Sequence, residues 1–248
     1  MHNFFVSKEN KGNNCYFITG NDYNHIKNVL RMGIGDTFLV SCEGKSDLCT
    51  LDRFEGDTAV ALITEENYNN TELDTEIYLF QGLPKSDKME LIIQKTVELG
   101  VSGIIPVEMN RCVVKLDDKK KKSKTARWQA ISESAAKQSK RNIVPTVFDA
   151  VSLNTVLKNI EKLDMLLVPY ECAEGMMATA NALKEIKSGM KVGILIGPEG
   201  GFDDSEIEKC KECGSKVISL GARILRTETA AITSVAMCML HIEMGDSK

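Results

Sequence analysis

Residues 193–202 read GILIGPEGGF, and residues 216–230 read KVISLGARILRTETA. Ile194–Ile196 is a short apolar run of the kind that forms a buried strand. It runs into Gly197-Pro198-Glu199-Gly200-Gly201, where glycines let the backbone turn sharply and let a ligand approach it closely. Val217–Leu220 repeats the pattern and breaks at Gly221. A helix is expected from near Thr227. Two strand ends opening into glycine loops, side by side in an α/β sheet, are where such folds bind ligands.

The residue types narrow the ligand. Neither a G-x-x-x-x-G-K-[ST] loop nor a G-x-G-x-x-G fingerprint occurs. Asp203, Asp204, Ser205 and Glu206 open the helix after the first loop. Their carboxylates suit a helix N-terminus and would repel a phosphate placed there. A neutral or cationic ligand, held through backbone groups, fits better. Arg226 stands just before a helix N-terminus, where positive charge is disfavoured. A residue that runs against local preference is a functional hint.

Upstream, from about residue 71, strands alternate with helices, the sign of an α/β domain. Glu76–Gln81 reads as a strand. Asp87 with Glu90 forms a capping box, and Met89, Ile93 and Val97 face a core at helical spacing. Gly100 ends that helix. Strands follow at 103–107, 164–168 and 191–196, with helices at 123–139, 153–161 and 176–186. Trp128, Ile131 and Ala135 line one stripe. The last helix, 228–243, carries Ala230, Ala231, Ser234 and Ala236, which suit tight packing within one domain or a homodimer face. Spacing alone gives an open doubly wound sheet, and general rules exclude a knot.

Residues 1–70 lack long helical periodicity. Short β-prone runs at 15–19, 37–41, 48–54 and 58–64 are punctuated by turn residues, with one short helix at 22–30. This is a small β-barrel-like domain, and the polar stretch 67–74 holds the boundary with a second domain, 71–248.

The formal net charge of −4 does not advertise nucleic acid, although a local basic patch serves where the total is acidic. Lysines cluster at Lys119–Lys122 and Lys124, with Arg127, and again at Lys137, Lys140 and Arg141. A solvated helix face accounts for the first cluster. The eight cysteines, with no secretory leader and no run long enough to span a membrane, read as reduced cytoplasmic thiols. Cys210 and Cys213 have C-x-x-C spacing but no second pair, and His2, His25 and His241 are too scattered for a metal cluster or a hydrolase triad. No metal is expected.

IGPEGGF and LGARILRTETA resemble the two signature motifs of the bacterial 16S ribosomal RNA (uracil-N3) methyltransferases, a SPOUT-class family. KSDKMELIIQKTVELGVSGIIPV (85–107), RW (127–128), AAKQSKR (135–141), VP (144–145) and HIKNVLRMGIGD (25–36) extend the resemblance over nearly the whole chain. Ala222 departs from the proline often found after the glycine. The resemblance implies a C-terminal SPOUT-type α/β domain with a trefoil knot, preceded by a PUA-like RNA-binding module. It implies S-adenosylmethionine as methyl donor and uridine N3 of 16S rRNA, in the assembled small subunit, as acceptor. A homodimer is implied as well.

The implied cradle is Ile196, Gly197, Pro198, Glu199 and Gly200 with Leu220, Gly221, Ile224, Leu225 and Arg226, closed by Pro169. Leu220, Ile224 and Leu225 would pack on adenine. Losing the N3 proton leaves negative charge on the uracil carbonyl oxygens, which a guanidinium suits. Arg226 takes that role, with an ion pair to a glutamate as the plainer reading. Glu199 and Glu228 are the candidate proton acceptors, with helix capping as the alternative for Glu228. Arg31, Lys137, Gln138, Lys140 and Arg141 are the candidate RNA contacts. Other readings are methylation of tRNA or of a ribose hydroxyl, and a non-catalytic assembly factor.

Overall fold

The structure is a computed structural model that describes residues 1–171, 173 and 175–246. The chain divides into two compact units: Met1–Glu72 with Ala136–Val144, and Leu73–Ala135 with Pro145–Lys248.

The first unit contains β1 (Asn3–Phe5), β2 (Cys15–Ile18), α1 (Gly20–Asn24), β3 (Thr37–Cys42), β4 (Lys45–Glu55) and β5 (Thr58–Asn69). The sheet order is β1-β3-β4-β5-β2. β1 pairs with β3 in parallel, and the other ladders are antiparallel. Register shifts between β4 and β5 bend the sheet, as bulges do. Tyr16, Ile26, Phe38, Cys49 and Leu51 fill its core. The short helix starts earlier than spacing predicts and widens into π-type turns over His25–Val29. β1 has three residues, too few for periodicity to reveal.

One buried carboxylate organises this sheet. Asp47 accepts hydrogen bonds from Tyr16 Oη (2.7 Å) and the Asn67 amide (2.8 Å), with Lys11 Nζ at 3.4 Å. Burial pushes its pKa up, but these donors outweigh it and hold the carboxyl below its ordinary range. Tyr16 is pushed up by burial and by Asp47.

The second unit contains β6 (Glu76–Gly82), α2 (Lys88–Glu98), β7 (Gly103–Glu108), α3 (Asp118–Ser139), β8 (Thr146–Val147), β9 (Val151–Ser152), α4 (Leu153–Lys158), β10 (Met165–Pro169), α5 (Met177–Lys184), β11 (Lys191–Ile196), α6 (Asp204–Glu212), β12 (Lys216–Ile218) and α7 (Thr227–Asp246). Every ladder is parallel, in the order β12-β10-β11-β6-β7-β8, with β9 beside β7. β10 and β11 are nearly unbroken apolar runs because both faces of a parallel sheet are covered. α7 packs on α2 and over β6 and β11. Met89, Ile93 and Val97 are buried as their spacing predicts.

Two expectations are corrected. Asp87 makes no side-chain cap: its φ of −92° and ψ of 5° are not the extended geometry of a capping residue. Glu90 instead receives Arg127, with Nε at 2.8 Å and Nη2 at 2.9 Å. The capping box forms at α6, between Asp203 and Glu206. α3 also starts earlier than expected, so Lys119–Lys122 are helical. Cys210 is buried and Cys213 exposed. Among the described residues, no group of three or more His, Cys, Asp or Glu could hold a metal ion.

Candidate functional site

All strands of the second sheet run the same way, so the carboxyl ends of β6, β10, β11 and β12 share one edge. Gly82 ends β6. A Cβ there would stand 2.7 Å from the Pro198 nitrogen and 3.0 Å from the Gly197 carbonyl carbon. Only glycine lets the first loop pass so close. Gly201 and Gly221 have φ of +68° and +104°, where a side chain is strained.

Both loops are tied down by local hydrogen bonds. Gly201 N donates to Pro198 O (2.9 Å), and Arg111 Nη1 donates to Gly200 O (3.1 Å). Gln81 Nε2 donates to Thr227 Oγ1 (2.9 Å), which donates to Gly197 O (2.7 Å). The start of α7 is thereby bound to the first loop. Thr179 Oγ1 donates to Ser219 O (2.7 Å) and accepts from Ser219 N (3.0 Å), fixing the second loop.

Between the loops lies a cavity of about 470 Å³. Pro169, Ile196, Gly197, Pro198, Glu199, Gly200, Leu220, Gly221, Ile224, Leu225 and Arg226 all line it. All but Pro169 belong to the two motifs, and Pro169 ends β10. Lys88, Tyr170, Glu171, Phe202, Arg223, Thr227 and Ala230 also contribute to the wall. Local sequence gave no sign that Lys88 belongs to the site, because its partners Glu199 and Glu228 lie more than a hundred positions away. Ile224 is 82% exposed at the wall.

The charges are sorted unexpectedly. Glu199 Oε1 accepts from the Lys85 amide (2.9 Å) and lies 3.1 Å from Lys88 Nζ. Lys88 Nζ lies 3.4 Å from Glu228 Oε2. Burial raises the pKa of Glu199, but these donors outweigh it and hold the carboxyl low. Hydrogen bonding to Glu199 raises Lys88. Glu228 is not among the lining residues. Both glutamates therefore pair with Lys88, and Arg226 is exposed with no ion-pair partner among the described residues.

The candidate RNA contacts fall in the first unit. Arg31, Gln138 and Lys140 are exposed. Lys137 Nζ pairs with Asp22 at 2.8 Å. Arg141 is only 3% exposed, and its Nε is 3.0 Å from both oxygens of Glu72. Its carbonyl accepts from Asn3 Nδ2 at 2.9 Å. Arg141 thus holds the unit together, and burial keeps it from an RNA phosphate.

A parallel α/β unit with a cleft between glycine loops at its strands' carboxyl ends, in one chain with a small β unit, defines a two-unit protein with a ligand site on its α/β unit. A family model described as "RNA methyltransferase domain" matches residues 71–239, and one described as "RNA methyltransferase PUA domain" matches residues 18–46. The chain belongs to this RNA methyltransferase family, and its α/β unit is of the SPOUT type. It is 39% identical to "Ribosomal RNA small subunit methyltransferase E" of Bacillus subtilis, over 92% of this chain and 91% of that protein. It is 32% identical to the protein of the same name from Mesomycoplasma hyopneumoniae, over 96% and 99%. The crystal structure of a ribosomal RNA small subunit methyltransferase E from Neisseria gonorrhoeae, bound to S-adenosyl methionine, superposes with a TM-score of 0.82. That protein is 30% identical, with 97% of each chain covered.

Proposed function

We propose that this chain transfers a methyl group from S-adenosylmethionine to N3 of a uridine in small-subunit ribosomal RNA. The observation that carries the reading is the cleft. Both motifs supply its wall, in a chain with named small-subunit rRNA methyltransferases as relatives. The residues present fit the cofactor. Pro169, Leu220, Ile224 and Leu225 offer apolar surface to an adenine, and Glu171 sets negative charge at the cleft wall that suits a sulfonium. The first loop carries no lysine or arginine to grip a phosphate. A volume of this order is usual for a ligand pocket.

Bound S-adenosylmethionine supplies a methyl group on a positively charged sulfur, which keeps the bonding pair when the methyl leaves for N3. The chain must orient the uracil and stabilise the charge left when its N3 proton is lost. Arg226, with no ion-pair partner among the described residues, offers fixed donors to the carbonyl oxygens.

RNA is held in this reading by exposed cations. Arg31 and Lys140 are exposed on the first unit. Lys119, Lys122 and Lys124 on α3 have no ion-pair partners among the described residues, whereas Lys120 and Lys121 pair with Asp117 and Glu108. Binding led by phosphate contacts weakens steeply with salt, and a salt-insensitive affinity would sink this interface.

A homodimer through α7 is part of the proposal. Ala231 and Ser234 are fully buried within their own unit, yet Leu240 and Met244 of the same helix are 49% and 67% exposed. Sedimentation of an active monomer would exclude it. A trefoil knot around the second loop is proposed with it, supported by the Thr227–Gly197 bond. An experimental trace of residues 165–246 is the check. The place of action is the cytoplasm, where the substrate resides. No described helix is long and apolar enough to cross a membrane.

The deciding experiment mixes protein, S-adenosylmethionine and unmodified small subunits, then digests the RNA for nucleoside mass spectrometry. New 3-methyluridine is expected. A different methylated nucleoside would overturn the N3 assignment, and no product would overturn the enzyme reading.

A further inference from the structure

We infer that Lys88 is a catalytic residue that meets the acceptor uracil, and that Glu199 and Glu228 position it and are not proton acceptors. The inference rests on the function proposed above. Three separate elements converge here: Lys88 is the first residue of α2, Glu199 sits in the first glycine loop, and Glu228 lies in the first turn of α7. A cation at a helix N-terminus is opposed by the helix dipole. Two carboxylates at 3.1 and 3.4 Å hold it there.

Orientation supplies the second argument. Lys88 lines the cleft, and Glu228 does not. An ammonium has three N–H donors. Glu199 and Glu228 stand on one side of it at 3.1 and 3.4 Å, and no other acceptor pairs with it among the described residues. A ligand in the cleft therefore meets the ammonium. Glu199, already accepting from the Lys85 amide and Lys88, is a poor base. The charged groups facing Lys88 are Glu199 from the loop and Glu228 from α7. Arg223, Arg226 and Glu171 line the same cleft, and on α2 itself Glu90 is occupied by Arg127.

The chemistry that suits this arrangement is stabilisation of an oxyanion. The uracil N3–H bond breaks, its proton passes to solvent water, and the electron pair left on N3 spreads over O2 and O4. An N–H of Lys88 donates to one of these oxygens. Such a donor strengthens as charge develops, which is how it accelerates the reaction.

The test compares wild type, Lys88→Met, Lys88→Arg, Glu199→Gln and Glu228→Gln. Small subunits are reconstituted on RNA transcribed with uridine or with 5-fluorouridine, whose N3–H is more acidic. Cofactor affinity is measured by calorimetry without RNA. Lys88→Met should lose on the order of 100-fold in single-turnover rate, with cofactor Kd within about threefold of wild type. Lys88→Arg should recover part of the rate, and 5-fluorouridine should restore Lys88→Met at least about tenfold more than it changes wild type. Glu199→Gln and Glu228→Gln should each lose less than about tenfold. Equal Lys88→Met defects on both RNAs, or collapse of cofactor affinity, would overturn the inference, as would either glutamine variant being as inactive as Lys88→Met. A wild type that methylates neither RNA overturns the proposed function, and this inference falls with it.

Discussion

Arg226 is exposed, lines the cleft and has no ion-pair partner among the described residues, where Lys88 takes both nearby glutamates. In the proposed function such a side chain serves the ligand. Arg226→Ala should keep cofactor affinity within about threefold in calorimetry and lose on the order of 100-fold in turnover, the usual loss for an oxyanion donor. Loss of cofactor binding with undiminished turnover would refute that role. The cradle residues are legible in the sequence because each is a local signal, a glycine or an apolar strand end beside it. Lys88 is not legible. Its partners are Glu199 and Glu228, and only the folded chain brings them within reach. The same holds for Arg141, whose place in a basic cluster suggests a nucleic-acid contact. Its burial against Glu72 is a tertiary fact that charge patterning cannot carry.

At the level of elements, the two glycine loops are joined through a chain of donors from β6 to α7. Thr227 sits in the middle, accepting from Gln81 and donating to Gly197 O. Thr227→Val keeps the shape and removes the hydroxyl, leaving buried partners unsatisfied. A loss of about 1–3 kcal/mol is expected in denaturant unfolding, with weaker cofactor binding. In the first unit, Asp47 ties β4 to β2 and to the end of β5. Its folded pKa lies below its unfolded value of about 3.9. The stability it contributes is therefore complete above that value and is lost as pH falls through the folded one. Asp47→Asn should be less stable than wild type at neutral pH, with the gap closing below about pH 4. Urea melts across pH are the check. Strand and helix order in the α/β unit was readable from alternation of period. The Asp87 cap was not, because a capping box in sequence does not fix the backbone angles it needs.

Taken whole, the molecule is two compact units whose chain crosses between them three times: after Glu72, after Ala135 and after Val144. A boundary near residue 70 was visible as a polar stretch, but the return of residues 136–144 to the first unit was not. It depends on Asn3, Ser41 and Glu72 meeting Arg141, across separations of 69 residues or more. Arg141→Met should destabilise the first unit by about 1–3 kcal/mol, since it leaves the half-buried Glu72 carboxylate without its cation. Equal melting of the variant and wild type would count against that assignment.

The return of 136–144 also sets a timetable for synthesis. When Glu72 leaves the ribosome, every strand of the first sheet has been made, yet the half-buried Glu72 carboxylate still lacks Arg141. The unit closes only after about seventy more residues have been translated. That is a wait of roughly 4–15 s at ordinary elongation rates. During that interval the nascent sheet is exposed to chaperones and proteases, and slowing translation before Val144 should lower the yield of folded protein.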